Sequence, residues 1–260
     1  MMTSLHLNNK FIFIVGQPKS GTTSLYNWLS KHPDICPSTI KETRFFLDPE
    51  STQPRAKKFN GNNIDQYLEL FPSQEYKYYL EASPDYLYNT LPLNIQDYLP
   101  NSYFIIIKRN PVDRMLSSYR YFQQQRRIPL SLTFEDYIDK QKIDEKISDH
   151  TSPFCSLEQC KNSYIDKFQN HYGNNCMVID FEHLKNNPAV TVDKCLKRIG
   201  LMNCNHPSQE YQAHNVSKIS SSPIITKSFR ATRRMISYSL VRFPRIRRSL
   251  SHVSRYIQTC

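Results

Sequence analysis

The sequence predicts an α/β protein, and three stretches carry that prediction. FIFIV at 11–15 is a short apolar run of strand formers. It leads through a glycine-bearing loop into TTSLYNWLSKH, where Leu25, Trp28 and Leu29 share one helical face. YFIIIKRN at 103–110 repeats the pattern, followed at once by Pro111 and the apolar face of Val112, Met115, Leu116 and Tyr119. CMVIDFEHL at 176–184 reads as a third strand and its exit. Strand, tight loop and helix in that order form the opening unit of many α/β domains.

The remaining elements follow in chain order. The first helix runs from Thr22 and stops at Pro33. Ile64, Tyr67 and Leu68 predict a short helix, followed by a surface-like FPSQEYKYY at 71–79. YLEASPDYLY at 79–88 reads as a strand end or loop. A charged helix is expected over 131–148, starting after Ser131 or Thr133. Further helices are expected over 158–172 and over 188–201, the last closed by Gly200. Residues 218–257 read as a basic helical segment kinked near Pro223 and Pro244. No internal repeat or low-complexity linker interrupts the chain, so residues 1–260 read as one domain, with 218–260 as its basic C-terminal segment.

Bulk properties limit the function without choosing it. A chain of 260 residues, 39% of them hydrophobic, can bury a sizeable core, which excludes global disorder. The net charge of +11 is uneven, since no acidic residue follows Glu210. Ten lysines and arginines lie beyond that point, and without them the body stands near +1. Such a tail suits a nucleic acid, an acidic membrane, an acidic polymer or a phosphorylated cofactor. The seven cysteines include no CxxC pair and read as isolated buried thiols; Cys155–Cys160 or Cys195–Cys204 would pair only in an exported chain. The polar first ten residues and the short run at 11–15 do not resemble a secretory leader, and no run approaches membrane-spanning length. A cytoplasmic enzyme is the expectation.

The loop GQPKSGTT raises the chemical question. A loop that leaves a buried strand and starts a helix presents backbone N–H groups to an anion. Here those groups belong to Lys19, Ser20, Gly21, Thr22 and Thr23. Gly21 permits close approach, and the threonine hydroxyls add donors. The nucleoside-triphosphatase pattern GxxxxGK[ST] would place lysine at position 22, where this chain has threonine. Lysine stands instead at 19, ahead of the second glycine.

PKSGTT after a short strand resembles the 5′-phosphosulfate loop of sulfotransferases that use 3′-phosphoadenosine 5′-phosphosulfate (PAPS). The resemblance implies that Lys19 contacts the bridging or sulfuryl oxygen, and that Gly21, Thr22 and Thr23 wrap the 5′-phosphate. IIIKRNPVDRMLSSYRYF is similar to the same family's 3′-phosphate motif, in which a strand-ending arginine is followed eight residues later by a serine. Arg109 and Ser117 match in identity and spacing. Arginine offers a rigid fork of donors to a dianionic phosphate, and serine adds a hydrogen bond. Ser118 is the neighbour expected to pack or to face solvent.

STIKETRFFLD at 38–48 resembles the segment that carries the catalytic base in glycosaminoglycan and protein-tyrosine sulfotransferases. The matching base is Glu42, and Arg44 matches an arginine of the tyrosine-modifying branch. A carboxylate base needs a position within hydrogen-bond reach of the attacking oxygen more than it needs a raised pKa. Histidine serves in many small-molecule sulfotransferases, which leaves His171 and His183 as alternatives and His214 as a weaker one. His32 reads as a surface residue.

Two departures qualify the resemblance. Glycosaminoglycan sulfotransferases usually carry lysine after the glutamate of the motif equivalent to EASPDYLY, where this chain has Ala82. Glu81 and Asp85 are then left to orient a cationic or hydroxyl-rich acceptor, with Tyr86 and Tyr88 as pocket or packing residues. The family's late glycine-containing loop is also missing from HNVSKISSSPIITKSFR, leaving Lys218 and Arg230 as analogues for the 3′-phosphate.

The resemblance implies a three-layer α/β domain with a mostly parallel central sheet, the sulfotransferase fold. It implies a PAPS-dependent enzyme, without a metal, that sulfates a hydroxyl of a small molecule, lipid or glycan. Protein-tyrosine or N-sulfation, a kinase or NTPase, and a nonenzymatic nucleic-acid-binding module are the rival readings. Nucleic acid is disfavoured as a partner, and the basic tail offers peripheral membrane contact.

Overall fold

The computed structural model describes residues 8–202 apart from 74, 144–149 and 151, together with residue 211. The expected basic segment, with Lys218, Arg230 and His214, lies outside the described residues.

Five strands form one sheet in the order β2-β3-β1-β4-β5, and every pairing among them is parallel. The first strand, β1 (Lys10–Gly16), occupies the centre because nearly all of it is apolar and both of its faces can be covered. Its alternation sends Phe11, Phe13 and Val15 into one core and Ile12 and Ile14 into the other. On the first face lies an aromatic core: Phe13 stacks on Phe104 with centroids 5.5 Å apart, and Phe104 on Tyr172 at 3.8 Å. The second face is aliphatic and is covered by α1 (Thr22–Leu29).

After α1 come β2 (Ile35–Pro37), α2 (Ile64–Leu68) and β3 (Tyr78–Ala82). A 3₁₀ turn over Pro84–Tyr88 and a short α3 (Ile95–Tyr98) lead to β4 (Ser102–Lys108). The long helix α4 (Pro111–Gln124) begins where Asn110 accepts the backbone N–H groups of Val112 and Asp113, with proline in the first turn. Helix α5 (Phe134–Ile143) starts on a capping pair: Asp136 donates its backbone N–H to Thr133 Oγ1 at 3.1 Å, and the threonine hydroxyl donates back to the Asp136 carboxylate. The chain continues through α6 (Ser163–Tyr172), β5 (Cys176–Asp180), α7 (Phe181–Asn186) and α8 (Pro188–Ile199). Gly200 ends α8 in the left-handed conformation, as its position in the sequence predicts. Helix α8 joins α1 on the aliphatic face, while α2 and α6 cover the aromatic one, giving three layers.

Several expectations require correction. The end of FPSQEYKYY is not surface: Tyr78 and Tyr79 begin β3 and are buried, with Tyr79 stacked 5.2 Å from Phe11. Tyrosine carries a large apolar ring behind its hydroxyl, so a tyrosine-rich strand looks polar while packing as core. His32 is also buried; one ring nitrogen accepts the Asp34 N–H and the other faces the Met202 carbonyl at 3.0 Å. Cys36, Cys155, Cys160, Cys176 and Cys195 are buried and none of them is in a disulfide, so a Cys155–Cys160 bridge is not formed.

Candidate active site

From β1 the chain crosses to the edge strand β2 and returns through β3, then passes to β4 and β5 on the other side, so that the connections after β1 and β4 run in opposite directions. Ligands of open parallel sheets bind where loops from such diverging strands part at the carboxyl edge. The loops after all five strands meet there, around a cleft of ≈ 1210 Å³.

The loop after β1 holds a tight shape. Lys19 has φ 65° and Gly21 φ 84°. A side chain at Gly21 would meet the Phe181 ring at 3.2 Å and Leu184 at 3.3 Å, so glycine is required both by its conformation and by the closeness of α7. Gly21 caps α1 without a side-chain acceptor, which leaves the first N–H groups of that helix to an outside partner. The hydroxyl of Ser20 is fully buried and has no hydrogen-bond partner among the described residues. Such an orphaned donor in a loop of this shape fits an anionic group.

Arg109 bridges the two strand ends. Its backbone N–H donates to Gln17 Oε1 at 3.1 Å, and its Nη1 donates to the Lys19 carbonyl at 2.6 Å. Its guanidinium lies 4.3 Å from the Phe181 ring centroid, and its Nε has no partner. Burial lowers the Arg109 pKa. The Lys19 ammonium sits 4.0 Å from the Tyr121 ring centroid, and burial together with the charge of Arg109 lowers its pKa. Ser117 and Ser118 both line the same cleft from α4, Ser117 one turn before Tyr121 and Ser118 more deeply buried. Lys19, Gly21, Thr22, Thr23, Arg109 and Ser117 thus converge on one cavity. Ser20 lies buried behind them.

Glu42 faces this group from the loop after β2 and also lines the cleft. Lys41 donates to its Oε1 at 2.9 Å, and Arg44 donates to its Oε2 at 2.6 Å. Arg44 is shared with Asp85, whose carboxylate lies 3.8 Å from its Nε. Glu42 and Arg44 both adopt positive φ, 64° and 55°. Each such non-glycine residue costs about 1–3 kcal/mol and persists only where the surroundings over-determine it. Asp85 borders the cleft; burial first and the Glu42 charge second push its pKa up to about 6.

Glu81 does not face an acceptor, contrary to its expected role. It is 1% exposed and receives hydroxyl hydrogen bonds from Thr43, Tyr67, Ser83 and Tyr86. Tyr86 and Tyr88 are likewise buried and pack. The alternative bases His171 and His183 are exposed, and neither is in the cleft wall. His150 does reach that wall, stacked 4.9 Å from the Tyr88 centroid, yet its sequence context offered no motif. Gln17, Tyr121 and Phe181 also escaped the sequence reading. Only Tyr121 left a usable signal, four residues beyond Ser117 and therefore on the same helical face.

Trp28, Phe181 and Tyr211 also bring aromatic rings to the cleft wall, with Trp28 and Tyr211 edge-to-face at 5.5 Å. The start of α1 and the Arg109 guanidinium thus present cationic and N–H donors to one cleft. Among the described residues no group of three or more His, Cys, Asp or Glu side chains is placed to hold a metal ion.

A family model described as Sulfotransferase family matches residues 12–203. The sequence is 28% identical over 210 residues to the bifunctional heparan sulfate N-deacetylase/N-sulfotransferase 1 of Xenopus laevis, and 29% identical over 210 residues to that of Homo sapiens. Each alignment covers 74% of this chain and 22% of the relative, so the chain spans about a fifth of the length of these curated relatives. The crystal structure of a sulfotransferase from Alicyclobacillus acidocaldarius superposes with a TM-score of 0.70 at 23% identity, covering 94% of this chain and 96% of that one. That likeness bears on the fold.

Proposed function

The chain belongs to the sulfotransferase family, and from that premise we propose that it moves the sulfuryl group of PAPS to a hydroxyl of a small molecule, lipid or glycan. The observation that carries the reading is the convergence of Lys19, Arg109 and Glu42 on one cleft at the carboxyl edge of the sheet.

PAPS, when bound, supplies an activated sulfuryl group on a phosphate leaving group. The residues divide the remaining work. Arg109 and Ser117 hold the 3′-phosphate, the arginine kept in place by Gln17, the Lys19 carbonyl and the Phe181 ring. Ser20, Gly21, Thr22 and Thr23 supply donors to the 5′-phosphate at the start of α1. The Lys19 ammonium offsets the negative charge that grows on the bridging oxygen as the S–O bond breaks. Glu42 takes the acceptor proton as the new O–S bond forms. Its ion pairs with Lys41 and Arg44 fix the carboxylate while leaving lone pairs on both oxygens.

Ala82, where the glycosaminoglycan branch usually has lysine, is buried in β3 away from the cleft wall. Arg44, paired with Glu42 and Asp85, lines the cleft together with Arg120 and Arg127. N-sulfation is the second reading, favoured by the N-sulfotransferases among the relatives.

The test is a screen of chemically diverse alcohols, amines and saccharides with PAPS, following release of adenosine 3′,5′-bisphosphate (PAP) and the mass of the sulfated product. Glu42→Gln is expected to slow transfer by about 10²–10⁴-fold while PAP affinity stays nearly unchanged. Wild-type transfer by that variant would overturn the base assignment. Mg²⁺-dependent nucleotide hydrolysis without sulfation would favour a kinase or NTPase instead.

A further inference from the structure

The Glu81 carboxylate takes no part in the reaction above, yet it organises the loop that carries the proposed base. Four hydroxyls donate to it. Thr43 Oγ1 and Ser83 Oγ reach Oε1 at 2.6 and 2.5 Å, and the hydroxyls of Tyr67 and Tyr86 reach Oε2 at 2.9 and 3.4 Å. No lysine or arginine among the described residues pairs with it. Burial pushes its pKa up, while the four hydroxyl donors act in the opposite direction.

A carboxylate only accepts, so a hydroxyl bonded to Glu81 points its proton at it and turns its lone pairs elsewhere; the Tyr86 hydroxyl also lies 3.4 Å from Thr43 Oγ1, which is itself directed by Glu81. Three of the four turn them to the base loop. Arg44 donates its backbone N–H to Ser83 Oγ at 3.0 Å, Phe45 to Thr43 Oγ1 at 3.3 Å, and Phe46 to the Tyr86 hydroxyl at 3.1 Å. Three successive N–H groups are therefore received by three hydroxyls whose direction one buried carboxylate sets. The Glu42 N–H completes the attachment on the Ala82 carbonyl at 3.0 Å. These bonds hold the segment in which Glu42 and Arg44 both have positive φ.

We propose that Glu81, acting through the hydroxyls of Thr43, Ser83 and Tyr86, is the positioning residue that fixes the Glu42 carboxylate in the cleft. The proposal rests on the reading of Glu42 as base. A carboxyl-to-amide change at Glu81 would make the hydroxyls on one side accept instead of donate, so that the lone pair holding each backbone N–H is shared with a second donor and the hydroxyl proton is turned towards the loop. Thr43→Val removes one hydroxyl at nearly constant shape and spares Glu81, so it serves where a Glu81 variant fails to fold.

The experiment uses the full chain with PAPS, water as the acceptor, and PAP as the binding probe. Thr43→Val and Glu81→Gln are expected to slow PAP release at saturating PAPS by about 10- to 100-fold, with the PAP Kd within about threefold of wild type. Thr43→Ser is expected to restore the rate. In the Glu42→Gln background, Thr43→Val should add less than about threefold, because both act through one carboxylate. A crystal structure of Thr43→Val with PAP decides the matter without turnover: Glu42 and Arg44 should leave their positive-φ conformations. An unmoved Glu42 carboxylate, a rate within about twofold of wild type, or a PAP Kd that rises as much as the rate falls would overturn the proposal. A slow Glu42→Gln beside a fast Thr43→Val would remove the positioning role alone. A Glu42→Gln variant as fast as wild type would remove the base assignment and this inference together.

Discussion

Lys19 combines a positive charge, partial burial and a strained backbone at one position. Its ammonium rests on the Tyr121 ring and faces the same cleft as Glu42. Because it is assigned to the leaving oxygen as well as to nucleotide binding, Lys19→Met is expected to slow sulfuryl transfer by about 10²–10³-fold while raising the PAP Kd by less than about tenfold. Comparison of single-turnover transfer with calorimetric PAP binding checks this, and equal losses in both would reassign the lysine to binding. Asp85 gives a second test, through pH. Its folded pKa of about 6 lies above the ordinary aspartate value, so the fold prefers the protonated acid. The stability it contributes is complete below about pH 4 and is lost as pH rises through 6, a change of at most about 3 kcal/mol. Asp85→Asn should therefore be more stable than wild type at pH 8, with the gap closing towards pH 4. Thermal melts across that range would refute the assignment if the gap were constant. At this scale the sequence disclosed residues that belong to contiguous motifs: Lys19, Gly21, Glu42, Arg109 and Ser117. It could not disclose Gln17 meeting Arg109 across 92 positions, nor the four hydroxyls around Glu81, because only folding brings them together.

Among the elements, the strand-loop-helix units were the most legible. FIFIV and YFIIIK are apolar throughout, and Pro111 and the Asn110 side chain mark the start of α4 within two residues. Strand β2 was hidden and β3 was read only as a strand end or loop, for separate reasons. The first has three residues, too few for a period, and the second opens with two tyrosines that look wet in isolation. The junction of β1 and α1 supplies the prediction at this scale. Gly21→Ala must hold a left-handed φ of 84° and push a methyl towards Phe181 and Leu184. The conformational part costs about 1–2 kcal/mol of stability. Displacing α7 also disturbs the ring against which Arg109 rests, so the PAP Kd should rise about tenfold or more, equivalent to ~1.4 kcal/mol. Chemical denaturation and PAP titration of this variant test the two effects separately. Unchanged PAP affinity would show that the loop does not grip the nucleotide.

For the molecule as a whole, composition constrained charge and core but left the strand order open. The order β2-β3-β1-β4-β5 depends on pairings between distant segments, such as Ile12 beside Leu80 and Tyr103, which periodicity does not encode. That order parts the chain around β1 and creates the cleft, so the fold links motifs at residues 19, 42, 109 and 117 into one site. A ligand held by several of these elements at once should stabilise the whole molecule. PAP at one hundred times its Kd is expected to add about 2.7 kcal/mol, which for a domain of this size raises Tm by about 5–10 °C. The donors are cationic side chains and helix-start N–H groups, so the shift at a fixed PAP concentration should shrink as salt rises. It should be the same with and without a metal chelator, because every donor assigned to the phosphates belongs to the protein. AMP, which lacks the 3′-phosphate for Arg109 and Ser117, should shift Tm much less at equal concentration. Melts with PAP, AMP and ATP–Mg²⁺ separate the readings: a larger shift with ATP–Mg²⁺ than with PAP would contradict the two-phosphate assignment and return the glycine loop to nucleoside-triphosphate chemistry.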